Sequence, residues 1–150
     1  MADAVIEVVG TDELPLIVEL YSQIFDRSKT IESFRRRYLG RHNVLQLMAR
    51  VEGRSVGFFL GFELKPDVFY AWLYGVLADS RRTGLATQLM DTAHAWAREH
   101  DYKTMRLECL NKHRPLLHLA MALKYNVVGL RWSADFKENL VLFEKDLLEE

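Results

Sequence analysis

At 150 residues, 49% of them hydrophobic and 27% charged, the chain has the size and composition of one globular domain, expected to span residues 1–150. Its formal net charge of −1 supplies no positive field for nucleic acid, so that partner is not expected. A single cysteine, Cys109, excludes an internal disulfide. The opening "MADAVIEVVG" lacks the pattern of a signal peptide, and the longest nearly apolar run, Val68 to Ala78, is too short to span a bilayer. A cytoplasmic location without membrane association follows as an expectation.

Residues 4–9, "AVIEVV", read as a short strand rich in β-branched side chains. Thr11 is placed to cap a helix whose inner face carries Leu14, Ile17, Leu20 and Tyr21, with Pro15 tolerated in its first turns. A second helix, "TIESFRRRYLG", aligns Ile31, Phe34 and Tyr38 and stops near Gly40. Residues 44–51 alternate, with Leu45, Leu47, Ala49 and Val51 on one face. Glu52-Gly53 turns the chain into "RSVGFFLGFEL", where Val56, Phe58, Leu60, Phe62 and Leu64 share a face. On the opposite face Gly57 and Gly61 leave room for something to approach the backbone.

After a turn at Pro66-Asp67 comes "VFYAWLYGVLA", apolar at odd and even positions alike, as in a central strand covered on both faces. A helix follows from Leu85 to about His100, with Leu89, Ala93 and Trp96 at helical spacing. "KTMRLECL" is the next strand, and "RPLLHLAMALKY" is a helix with Pro115 in its first turn. "NVVGLRW" and "NLVLFEKDL" are closing strands. The expected fold is α+β (mixed α/β): a mixed, mostly antiparallel sheet of about seven strands flanked by four helices.

Between the central strand and the third helix stands "VLADSRRTGLATQLM", residues 76–90. A helix starting there presents free N–H groups and the positive end of its dipole. Gly84 and Ala86 keep the approach open, and Arg81 and Arg82 add charge; these are the parts of a pyrophosphate site. The same features also suit an ordinary strand-to-helix turn. Neither the P-loop nor the three-glycine dinucleotide fingerprint is present.

The segment "RRTGLA" resembles the acetyl-CoA signature R/Q-x-x-G-x-G/A of the GNAT superfamily of N-acetyltransferases, filled by Arg81, Gly84 and Ala86. The inferred element order over essentially the whole chain is similar to that fold. The resemblance implies acetyl-CoA as cosubstrate, with its pyrophosphate on backbone from Arg82 through Thr83, Gly84, Leu85 and Ala86 to Thr87. It implies the pantetheine arm beside Val76, in a split between the fourth and fifth strands, and Asn111 joins the cofactor-binding set. It implies direct attack of a primary amine of a small molecule, peptide or protein on the thioester; no metal is expected, and a homodimer is an admissible assembly. A non-catalytic acyl-CoA-binding sensor or interaction module with the same fold is the alternative.

Many members of that superfamily carry a tyrosine on the fourth helix to protonate the departing thiolate. In "NKHRPLLHLAMALKYNVVG" one register places Ala120 there and another places His118. His118 is therefore a candidate proton donor and Glu108, in "RLECLN", a candidate base, with Glu63 as a second. Each also has a plainer reading, as a histidine on a packed helix or a carboxylate paired with an arginine. Cys109 alternates with Met105 and Leu107 and reads as core. Arg35, Arg36 and Arg37, with Arg41 and His42, would attract an acidic substrate or simply solvate a helix face.

Overall fold

The computed structural model describes residues 4–148. The strands are β1 (Ala4–Val8), β2 (Leu45–Val51), β3 (Arg54–Lys65), β4 (Val68–Val76), β5 (Thr104–Leu110), β6 (Asn126–Ser133) and β7 (Glu138–Asp146). The helices are α1 (Leu14–Phe25), α2 (Ile31–Tyr38), α3 (Leu85–Glu99) and α4 (Arg114–Ala122). One seven-stranded sheet runs β1-β2-β3-β4-β5-β7-β6, antiparallel except where β4 meets β5. The mixed, mostly antiparallel sheet with four helices is the expected fold class.

Helices cover both faces. Phe69 packs on Trp96 of α3, whereas its neighbour Tyr70 packs on Phe62, which continues through Trp72 to Phe34 of α2. Successive strand residues point to opposite faces, so α2 and α3 lie on opposite sides of the sheet. His94 of α3 and Tyr125, just after α4, meet with Nε2 and Oη 2.6 Å apart, joining those helices in one layer. The centre is fully buried at Phe34, Phe58, Phe59, Phe69 and Phe143.

Local chemistry sets the boundaries. Thr30 caps α2 by accepting the Ser33 N–H, and Glu52 and Gly53 both hold positive φ (52° and 80°), closing the β2–β3 hairpin. Thr11 does not cap α1; residues Thr11–Glu13 form a 3-10 turn and the α-helix begins at Leu14. Pro15 is the cause. A helix capped by Thr11 would require the Pro15 N–H for its first bond, and proline has none.

Two further expectations change. Gln46 and Met48 are buried like Leu45 and Leu47, so β2 is covered on both faces rather than one. The Gln46 amide is satisfied there, donating to the Gly10 carbonyl (2.7 Å) and accepting from the Tyr38 hydroxyl (2.9 Å). The room at the β3 glycines is taken by the protein itself. A Cβ on Gly61 would stand 2.7 Å from both the Phe69 ring and the Tyr70 carbonyl, and one on Gly57 3.0 Å from the Gly75 carbonyl.

Candidate active site

The central feature is a parting of two strands. β4 and β5 pair only from Val68↔Thr104 to Ala71↔Leu107; beyond that, β5 follows β7 and β4 follows β3. The register with β3 jumps from Gly61↔Ala71 to Leu60↔Leu73, leaving Trp72 as an extra residue. Such a bulge bends its strand and reverses which alternate residues face each side. Tyr74 consequently joins the α3 side, stacking on Phe59, while Trp72 stays against α2.

The open edge of β4 presents backbone polar groups. The Leu77 N–H donates to the Val56 carbonyl at 2.8 Å, so by alternation the N–H and C=O groups of Val76 and Tyr74 face away from β3, toward the parting. Arg81 Nε donates to the Val76 carbonyl at 3.1 Å, which leaves donors on that edge.

From the end of β4 the chain passes through a 3-10 turn, Ala78–Ser80, to the start of α3. Arg82 (φ 65°) and Gly84 (φ 79°) both adopt left-handed backbone, and Gly84 precedes α3 without any side-chain cap. The first helical bond is Gln88 N–H to the Gly84 carbonyl (3.0 Å), so the N–H groups of Leu85, Ala86 and Thr87 have no partner within the helix. An uncapped helix start with positive partial charge is suited to an anion.

Two cavities meet at the parting. One, of about 490 Å³, runs along Val76, Ser80, Arg81, Arg82, Gly84, Leu85, Ala86 and Thr87 to Pro115 and Leu119. The other, of about 750 Å³, lies among α1, α2, β4, β5 and the β6–β7 turn. Ile24, Phe25, Tyr74, His113 and Leu116 line both.

The residues singled out from the sequence divide accordingly. Val76, Arg81, Arg82, Gly84, Leu85, Ala86 and Thr87 line the smaller cavity together. Thr83 is exposed with its hydroxyl on the Ser80 carbonyl, and Asn111 is exposed with its N–H on the Asn139 carbonyl; neither lines either of these two cavities. Glu108 lines the larger cavity, where Oε1 and Oε2 accept from Arg131 (3.3 and 2.8 Å) and Oε2 also from the Tyr70 hydroxyl (3.2 Å). Burial, with that carboxylate beside it, holds the Tyr70 phenol protonated far above its ordinary range. Glu63 is elsewhere, accepting from Tyr102 at 2.8 Å. His118 is exposed and lines neither cavity, and Ala120 is buried at 2% exposure. Lys124 holds left-handed backbone (φ 68°), as the glycine of the register that selects Ala120 would.

His113 was not singled out by the sequence. It precedes α4, lines both cavities, and its Nδ1 is buried without a hydrogen-bond partner. Only its place directly before Arg114-Pro115 pointed to it, and that spacing has no chemical signature. Cys109 lies in the larger cavity with its thiol pushed up to about 11 by burial, so it stays protonated near neutrality. Among the described residues no three His, Cys, Asp or Glu side chains are grouped to hold a metal, and no helix is long and apolar enough to cross a membrane.

Comparison with known proteins agrees with this architecture. The ribosomal-protein-S18-alanine N-acetyltransferase of Escherichia coli superposes with a TM-score of 0.85 at 16% identity, covering 99% of this chain and 96% of that one. Ard1 from Thermoplasma volcanium gives 0.82 at 17% identity (97% and 99% covered). A GNAT family acetyltransferase from Elizabethkingia anophelis, solved with acetyl-CoA bound, gives 0.80 at 12% (95% and 97%). No curated protein sequence matches the chain. The profile of the Acetyltransferase (GNAT) family matches residues 14–125, and the chain belongs to that family.

Proposed function

We propose that this chain is an acetyl-CoA-dependent N-acetyltransferase that acetylates a primary amine of a small molecule or peptide by direct attack. The carrying observation is the parting of β4 from β5, which opens onto both cavities with the uncapped start of α3 at one end. The residues present fit the cosubstrate. The N–H groups of Leu85, Ala86 and Thr87, with Arg82 and Gly84, would hold its pyrophosphate, and the open edge of β4 at Val76 would pair with the pantetheine arm.

In the larger cavity the amine nitrogen would attack the thioester carbonyl. The C–N bond forms, the C–S bond breaks, the amine gives up one proton and the thiolate takes one. N–H donors at Tyr74 and Val76 suit the charge that develops on the carbonyl oxygen. For proton movement we assign His113 in place of His118, because it stands at the junction of the cavities. A substrate group there would satisfy its orphaned Nδ1, whose burial alone costs about 1–3 kcal/mol. Glu108 is a base only through water, since Arg131 and Tyr70 already occupy its oxygens.

One observation favours the alternative, an acyl-CoA-binding module without turnover: the left-handed backbone of Lys124 supports the register in which Ala120 takes the place of the usual acid. Thiol release from acetyl-CoA across a panel of amines, alongside calorimetric acetyl-CoA binding, separates the two. Binding with no release for any amine leaves only the module. We also propose a reducing cytoplasm, which the single cysteine suits, and a homodimer formed through the exposed apolar edge of β6.

A further inference from the structure

The larger cavity is electrically lopsided. Arg27, Lys29, Arg37 and Arg131 line it, against Glu108 and Asp135. Arg131 and Glu108 neutralise one another through two hydrogen bonds. Among the described residues no carboxylate forms an ion pair with Arg27, Lys29 or Arg37. Aromatic rings seat these cations instead. Arg27 lies over Phe136 (4.3 Å), Lys29 over Tyr21 (5.6 Å) and Arg37 over Trp72 (5.5 Å). They also feel one another: burial and then the charges of Arg27 and Arg37 hold the Lys29 ammonium below its ordinary range, Asp135 opposing weakly. Three like charges gathered on one cavity wall repel, and an anion between them removes that cost. Of the "RRR" run only Arg37 reaches this wall; Arg35 pairs with Glu32 on the outer face of α2.

From this arrangement we infer that Arg27, Lys29 and Arg37 form an oxyanion-recognition site in the acceptor cavity, so that the preferred acceptor is a small amine that itself carries a carboxylate or phosphate. Polycationic amines meet a wall of their own sign and are poor acceptors. The inference rests on the acetyl-transfer reading for the word acceptor, but the binding site does not depend on turnover.

The test uses matched pairs at saturating acetyl-CoA: phenylalanine against phenethylamine, lysine against cadaverine, and phosphoethanolamine against ethanolamine. The oxyanion member of each pair should have kcat/KM about tenfold higher or more. The third pair against the first two tells phosphate from carboxylate. Arg37→Gln and Lys29→Gln should bring the ratio within each pair close to one, while the KM for acetyl-CoA stays as in the parent and so reports an intact fold. Calorimetric titration of phenylalanine and phosphoethanolamine into CoA-loaded protein gives a readout without chemistry. If no amine is acetylated but either compound binds and Arg37→Gln abolishes that binding, the transfer reading fails and the site stands. Equal or better use of the decarboxylated amines, variants that leave the ratios unchanged, or no oxyanion binding at all overturns the inference.

Discussion

Arg81 Nε donates to the carbonyl of Val76 at 3.1 Å, tying the arginine of the glycine-containing turn back onto the end of β4. Arg81 thus satisfies the acceptor on an edge otherwise left open by β5, and it shapes the turn as well as charging it. Arg81→Met should weaken acetyl-CoA binding about tenfold. Arg81→Lys should recover only part of that, since lysine restores the charge but not the planar guanidinium contact. Calorimetry on the three proteins checks it; full recovery by lysine would leave charge as the whole of its role.

Gly84 separates backbone strain from ligand repulsion. A Cβ there meets nothing within 4 Å, but φ is 79°. Gly84→Ala should cost about 1 kcal/mol of stability with little loss of acetyl-CoA affinity. Gly84→Glu should abolish binding by setting a negative charge at the uncapped helix start, with a similar stability. Urea melts and calorimetry measure both, and unchanged affinity in Gly84→Glu removes the pyrophosphate assignment.

His113→Ala should lower kcat for thiol release by about 100-fold or more while the KM for acetyl-CoA stays near the parent's. His118→Ala should change kcat less than about twofold, because its side chain stands in solvent on the far side of α4 from Ala120. The reverse order of effects would return the proton-transfer role to His118.

His94 makes stability depend on pH. Burial, helped by the Lys145 and Arg98 charges, holds its imidazole down to about 4, and it meets Tyr125 at 2.6 Å. A depressed histidine binds its proton more readily when unfolded, so its contribution is present above about pH 6.5 and is lost as pH falls toward the folded value. Between about pH 7 and about pH 5 the protein should lose roughly 2 kcal/mol from this group. His94→Gln should remove most of that dependence in urea unfolding. A parent protein equally stable at both values would contradict the assignment.

β6 is an outer strand of the sheet, with Val127, Val128, Leu130 and Trp132 all more than half exposed. An apolar edge of this kind is a surface for pairing with another strand. Light scattering should show a dimer for the parent and a monomer for Leu130→Lys combined with Trp132→Lys. A monomeric parent at every concentration would exclude the homodimer.

The parts legible from sequence were those that rest on neighbours along the chain. The unbroken apolar run of β4 announced cover on both faces, Glu52-Gly53 announced a hairpin, and Gly84 announced an open approach to the start of a helix. Each depends on φ, ψ and side-chain period within a few residues, so no distant partner was needed to see it. Even the misplaced start of α1 follows local rules, once the missing N–H of Pro15 is counted.

Tertiary structure decided what depends on distant pairings. The extra residue at Trp72 exists only relative to β3, yet it determines that Tyr74 turns to the α3 side. Glu108 reads from sequence either as a base or as the partner of some arginine, and only the pairing of strands identifies that arginine as Arg131, on β6. Arg27, Lys29 and Arg37 come from a loop and a helix and share a wall only because α1 and α2 pack over the parted strands. Side-chain periodicity reports which face is apolar. It carries no information about which charges meet across a cavity, and that is set by register and packing alone.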